Sequence, residues 1–187
     1  KQAQNTQFGK DYNFAEITNY NKWKANIPVR DYEELKNYIQ QIIEGEKDVL
    51  WPGVPLYFCK TSGTTSGTKY IPISQESMSN HITAARDAIL SYIAETKNLS
   101  IVNGKMIFLQ GSPELSRVGA IPTGRLSGIV AHHIPSYLRK NQLPSYETNC
   151  IVDWEEKIDL IVEETLPEKM SVISGIPPWV QMYFEKL

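Results

Sequence analysis

Cysteine is scarce in this chain: Cys59 and Cys150 are the two thiols among 187 residues, far apart and without a metal-type spacing. That scarcity excludes a disulfide framework and suits a reduced, cytoplasmic setting in which both thiols are expected in the core. Long hydrophobic runs are also missing, so no segment reaches the roughly 20 apolar residues that a membrane-spanning helix needs. The opening KQAQNTQFGKDYNF has neither a hydrophobic signal region nor an initiator methionine, and the chain is expected to be soluble and trimmed at its front. No excess charge of one sign exists either. The 19 basic and 21 acidic residues leave a formal charge of −2, which supplies no field for a nucleic acid or an anionic membrane, so any binding must be local. Histidines number three. His132 and His133 are adjacent and cannot share a helical face as metal ligands do, so one is expected to pack and the other to be solvated. His81, between Met78 and Ala85, is expected to be partly buried.

What is present is the composition of a folded α/β protein. A hydrophobic content of 41% with 21% charged residues supports one solid core, and the chain reads as one domain or part of one. Asp31 and Glu34 form a D-x-x-E capping signal ahead of Leu35, Tyr38, Ile39, Ile42 and Ile43, which predicts a helix ending near Gly45. LYFCK reads as a strand after the WPGVP turn, and YIPIS as a second extended piece whose Pro72 suggests an edge. From Gln75, with Ser74 as N-cap, a longer helix carries Met78, Ile82, Ala85, Ile89 and Ile93 inward. KMIFLQG is a buried strand. Residues 112–127, with two prolines and two glycines, are expected to be loop. Asp153 and Glu156 cap another helix, SVISGI is a strand, and a last helix begins after the Pro-Pro pair. Trp51, Trp154, Trp179, Tyr57 and Tyr92 are expected to anchor the core, and the run EEKIDLIVEE to be a solvated helix face.

The chemistry concentrates in YFCKTSGTTSGTKYIPIS (57–74). Gly63 and Gly67 permit left-handed backbone steps that converge amide N–H groups on an anion, the Ser and Thr hydroxyls add donors, and Lys69 supplies a point charge. The spacing is not that of a Walker A loop: three residues separate the glycines, and Thr68 stands between Gly67 and the lysine. An S-x-x-K match at Ser66–Lys69 has no S-D-N partner, which disfavours a serine acyl-enzyme. Taken alone, the stretch also reads as a solvated Ser/Thr/Gly connector.

The loop matches the hydroxyl-rich phosphate signature of adenylating enzymes, and its surroundings narrow the match. TQFGKDYNF, IPVRDYEELKNYIQQIIEGEKDVLWPG, the loop, GRLSGIV and WEEKIDLIVEETLPEKMSVISGIPPW stand in the order found in the auxin-responsive acyl-amido synthetase family. The chain resembles the N-terminal part of a bacterial-type member of that family, within the acyl-adenylate-forming superfamily.

That resemblance implies an α/β fold with a sheet flanked by helices, residues 1–187 being part of a single adenylating N-terminal domain truncated at both ends. It implies ATP-dependent adenylation of a carboxylic acid, then amide formation with an amino acid or amine, using ATP and Mg2+. Ser62, Gly63, Thr64, Thr65 and Lys69 would contact the phosphates, with Lys69 the catalytic residue, and Thr61, Ser66 and Gly67 would shape the loop. Arg86 is a candidate for the acid site; Arg125 and Ser127, which follow the long loop, are substrate-site candidates for the acyl or nucleotide pocket, with a Gly–Ser helix cap as the alternative reading there. No metal ligand is assigned. The family's downstream adenine, ribose and metal elements and its mobile C-terminal domain lie outside these residues, so this segment alone is expected not to turn over. The alternative is a non-catalytic nucleotide- or acyl-binding module.

Overall fold

The computed structural model describes residues 1–61 and 67–187, and of Tyr137 only the backbone. In chain order the elements are α1 (Gln7–Asp11), α2 (Tyr20–Asn26), α3 (Tyr32–Ile43), β1 (Tyr57–Lys60), β2 (Tyr70–Ile73) and α4 (Gln75–Thr96), followed by β3 (Lys105–Leu109), β4 (Ser116–Val118) and β5 (Ile121–Gly124). Then come α5 (Leu126–Ala131), α6 (Ser136–Arg139), β6 (Gln142–Leu143), α7 (Tyr146–Cys150), α8 (Trp154–Thr165), β7 (Met170–Gly175) and α9 (Pro177–Lys186). The chain packs as two compact units. One comprises Lys1–Ser77 and Ser116–Gly124, the other Met78–Leu115 and Arg125–Leu187. The expected mixed α/β architecture is present, with two sheets among the described residues where one was expected.

In the first unit α3 starts where the capping signal puts it. Asp31 Oδ1 accepts from the Glu34 amide and Glu34 Oε2 accepts from the Asp31 amide, both at 3.0 Å, which satisfies two of the amides a helix start leaves open. The helix gives way at Gly45, whose φ is 102°. Its apolar face sets Ile39 and Ile42 against Val49, Phe58 and Ile121. Each such side chain stabilises the fold by about 1.5–3 kcal/mol when fully buried. The sheet order is β2-β1-β5-β4, with β1 antiparallel to β2 and parallel to β5. Pro72 lies on the edge strand, as expected, because proline has no amide to give to a further neighbour.

The expected loop at 112–127 is instead a hairpin, β4 and β5, leading into α5. Val118 pairs with Ile121 across a turn in which Gly119 has a φ of 58°. Its prolines and glycines read as breakers because the pairing of Thr123 with Phe58 is invisible to any local window. A Cβ on Gly119 would sit 2.3 Å from the Ile43 carbonyl oxygen. Gly119→Ala therefore combines left-handed strain with a backbone clash and is expected to lower stability by about 2–3 kcal/mol. An unchanged urea midpoint would contradict this account of the turn.

Tyr38 on α3 donates its hydroxyl to Asp11 Oδ2 at 2.7 Å. Burial first, and then this bond, push its phenol up to about 12. An unfolded tyrosine titrates near about 10, so between those values only the folded chain keeps the proton. Stability is therefore expected to fall as pH rises through that window. Tyr38→Phe should flatten the fall, as read from thermal melts taken from pH 9 upward.

In the second unit β6, β3 and β7 form a parallel sheet. Ile107 and Leu109 of β3 pack against Ile158 and Ile161 of α8 and Tyr183 of α9, and Trp154 stacks on Trp179 at 4.3 Å between centroids. Asp153 caps α8 by accepting from the Glu156 amide at 2.9 Å, as its spacing predicts.

Other expectations need correcting. The run EEKIDLIVEE is not simply a solvated face. Lys157 is only 1% exposed, and half-buried Glu164 accepts from the Ser145 amide and from the Ser145 and Thr148 hydroxyls. On α4 Met78 is buried, Ile82, Ile89 and Ile93 are half-buried, and Ala85 and His81 are exposed. Periodicity specifies which helix face is apolar, not how much of it is covered. Trp51 and Tyr92 are 37% and 45% exposed, while Tyr57, Trp154 and Trp179 are half-buried. The indole N–H of Trp51 donates to Glu76 at 3.1 Å, which keeps one end of the ring at the surface. Neither cysteine forms a disulfide among the described residues, and both are half-buried.

Candidate functional site

The strand–loop–strand segment of the first unit is built from its base upward. Antiparallel pairing of β1 with β2 ends at Lys60 opposite Tyr70. One step further the Thr61 amide donates to the Lys69 carbonyl at 3.0 Å, tying the two arms together. Gly67 has a φ of 80°, and a Cβ placed there would meet nothing within 4 Å among the described residues. No described residue therefore crowds its left-handed backbone, and a glycine in that conformation can present its main-chain amide to an anion. Thr61, Gly67 and Thr68 are exposed, and Lys69 is half-buried. Ser62, Gly63, Thr64, Thr65 and Ser66 lie outside the described residues.

Lys69 has no carboxylate in ion-pair range among the described residues. Its Nζ instead lies 5.5 Å from the ring centroid of Tyr32, a cation–π distance. The Tyr32 hydroxyl also accepts from the Tyr70 amide at 2.9 Å. Tyr32 is the first residue of α3, held there by the capping box that follows Asp31. Sequence reading missed it. The D-Y-E-E spelling marks a helix start, but nothing local says that its aromatic ring reaches the strand after the loop.

The three substrate-site candidates, Arg86, Arg125 and Ser127, belong to the second unit. Arg86 lies on α4 with its side chain 62% exposed, its Nε and Nη2 both donating to Asp87 Oδ1 at 3.0 and 2.8 Å. Arg125 is the N-cap of α5 and exposed, and its Cδ lies 2.9 Å from where a Cβ on Gly111 would stand. Ser127 is exposed two residues further on and is not the cap, since Arg125 holds that position without a side-chain cap bond. A Cβ on Gly128 would be 2.5 Å from the Ser112 carbonyl, so α5 is seated close against the preceding backbone. Among the described residues, no expected site residue lines a cavity of about 370 Å³ bordered by Gln110, His132, Arg139 and Asn149 or one of about 240 Å³ beside Trp51. As expected for the adjacent histidines, His132 is exposed and His133 half-buried. Burial, and secondarily the neighbouring His132, hold the His133 imidazole below its ordinary value.

These features define a mixed α/β protein in which a hydroxyl- and glycine-rich segment is tied between paired strands and ends in a lysine. The fold is that of the N-terminal region of acyl acid amido synthetases. The solved GH3.15 acyl acid amido synthetase superposes with a TM-score of 0.64 at 16% identity, over 84% of this chain and 27% of that one. AtGH3.15 in complex with 2,4-DB does so with a TM-score of 0.67 at 18% identity, over 86% of this chain and 28% of that one. The family description "GH3 family N-terminal domain" matches residues 1–162, and the chain belongs to that family. A probable indole-3-acetic acid-amido synthetase, GH3.1 of Arabidopsis thaliana, is 28% identical over 123 residues, which is 63% of this chain and 20% of the relative. The chain thus spans between a fifth and three tenths of the length of these relatives.

Proposed function

We propose that this chain is the phosphate-binding part of an ATP-dependent ligase that adenylates a carboxylic acid and passes the acyl group to an amino acid or amine. Residues 1–187 would form part of a single adenylating N-terminal domain, acting in the cytoplasm. The reading rests on family membership and on the names of the relatives, which are amido synthetases. The observation that carries it is the tied base of the 61–69 segment, with the left-handed backbone of Gly67 and a lysine that has no ion-pair partner among the described residues.

In this reading Thr61 and Gly67, together with Ser62, Gly63, Thr64, Thr65 and Ser66, shape a cradle whose amides and hydroxyls bind the triphosphate. Lys69 offsets charge on the phosphates as the acid's carboxylate oxygen attacks the α-phosphorus and pyrophosphate leaves. The amine nitrogen then attacks the acyl carbon, the amide forms, and AMP departs. No protein nucleophile is required. Among the described residues no group of three or more His, Cys, Asp or Glu side chains is placed to hold a metal ion. Arg86, held by Asp87 at the surface, is a weaker substrate-site candidate than Arg125 and Ser127.

The test is acid-dependent ATP–pyrophosphate exchange by the full-length protein across a panel of aliphatic, aromatic and indolic carboxylic acids. Exchange with at least one acid is expected. Silence across the whole panel, with the protein folded, would refute the ligase reading.

A further inference from the structure

We infer that Tyr32 is a positioning residue for Lys69: it holds the lysine and the start of the following strand in place, so that the ammonium is oriented before nucleotide arrives. This rests on the proposed role of Lys69 and adds to it a residue outside the loop.

The argument starts from α3. The Asp31–Glu34 capping box fixes the helix start, and Ile39 and Ile42 lock the helix into the core. Tyr32, packed against that same core, is thereby given a fixed origin. From there it makes two contacts with consecutive residues. Its hydroxyl accepts from the Tyr70 amide at 2.9 Å, and its ring lies 5.5 Å from Lys69 Nζ. The first contact sets the backbone at the point where the loop rejoins the sheet. The second restricts a four-carbon chain that would otherwise sample many rotamers. Both bear on the arm that is tied to Thr61. A ring holds an ammonium without neutralising it, whereas a carboxylate would compete with the phosphates for the same charge. Tyr32 can therefore orient Lys69 and still release its full charge to an anion.

The experiment is a double-mutant cycle in the full-length protein, using Tyr32→Leu, Tyr32→Phe and Lys69→Ala, with pyrophosphate exchange read as kcat and KM for MgATP. Tyr32→Leu keeps apolar bulk but removes both contacts, and it is expected to lower kcat/KM for MgATP about ten-fold. Tyr32→Phe keeps the ring over the lysine and should lose less than Tyr32→Leu. In the Lys69→Ala background Tyr32→Leu should cost nothing further, because its effect passes through the lysine. Losses that multiply in the double variant would overturn the inference and leave Tyr32 a packing residue. So would Tyr32→Leu with wild-type kinetics. If Tyr32→Leu fails to fold, the comparison of Tyr32→Phe with and without Lys69 decides in the same way: any loss by Tyr32→Phe must vanish without the lysine. The underlying reading fails separately, by Lys69→Ala leaving exchange unchanged.

Discussion

Replacing Lys69 with alanine in the full-length protein is expected to slow acid-dependent ATP–pyrophosphate exchange by about 10²-fold or more, the size of effect seen when one preorganised charge or donor is removed from a developing phosphate or oxyanion site. In the proposed reading the lysine would be the point charge of a cradle otherwise made of neutral amides and hydroxyls, and no carboxylate holds it in place among the described residues. Its structural role is small, since its contact with Tyr32 contributes about 0.5–1 kcal/mol at a partly exposed site. The variant should therefore melt close to the wild type while losing rate. Lys69→Arg should recover part of the loss, because charge is kept but a planar fork replaces a compact ammonium. Exchange at the wild-type rate in Lys69→Ala would remove the main support for a catalytic lysine.

Lys157 is where the largest effect on stability is expected. Lys157 is 1% exposed, and its ammonium donates to the Gln110 carbonyl at 3.0 Å and the Asn149 carbonyl at 2.7 Å. It thus joins the residue after β3 to the last turn of α7 from its own place on α8. Lys157→Ala would leave two carbonyls without their donor and open a void the length of the side chain, at a cost of about 3–5 kcal/mol. Lys157→Met fills the void and should cost less, though the carbonyls stay unsatisfied. Equal melting temperatures for wild type and Lys157→Ala would show that the buried link is dispensable.

The same residue makes a prediction about pH. Burial holds the Lys157 ammonium below the ordinary lysine value, with Cys150 acting in the opposite direction. Below the lowered value both folded and unfolded chains carry the proton, and above about 10.4 neither does. Between the two only the unfolded chain binds it, so stability is expected to rise with pH through that window. Lys157→Met should remove this contribution, seen as the difference between the two pH–melting curves. Tyr38 pulls the other way at still higher pH, which is why the variant and not the wild-type curve alone is decisive.

Much of the fold was legible because its signals are local. D-x-x-E before an apolar stripe places α3 and α8 through satisfied amides, and Pro72 marks an edge strand through the hydrogen bond it cannot make. The 112–127 segment was not legible, since its hairpin depends on β1, which lies more than fifty residues earlier in the chain. Lys157 escaped for a related reason. A lysine in a charged helix looks solvated until two carbonyls from other segments are found around it.

The candidate site divides along the same line. Its composition, the crowding of Ser, Thr and Gly before a lysine, can be read from the sequence, because conformational freedom and hydrogen-bonding capacity belong to residue types. Sequence alone also carried the family resemblance, since the order of blocks along a chain is itself a one-dimensional fact. Only the tertiary structure decided that Thr61 and Lys69 are tied, that Gly67 takes a left-handed backbone, and that among the described residues the lysine rests on Tyr32 and not on a carboxylate. Those are relations between atoms far apart along the backbone, fixed by packing that no local spacing encodes.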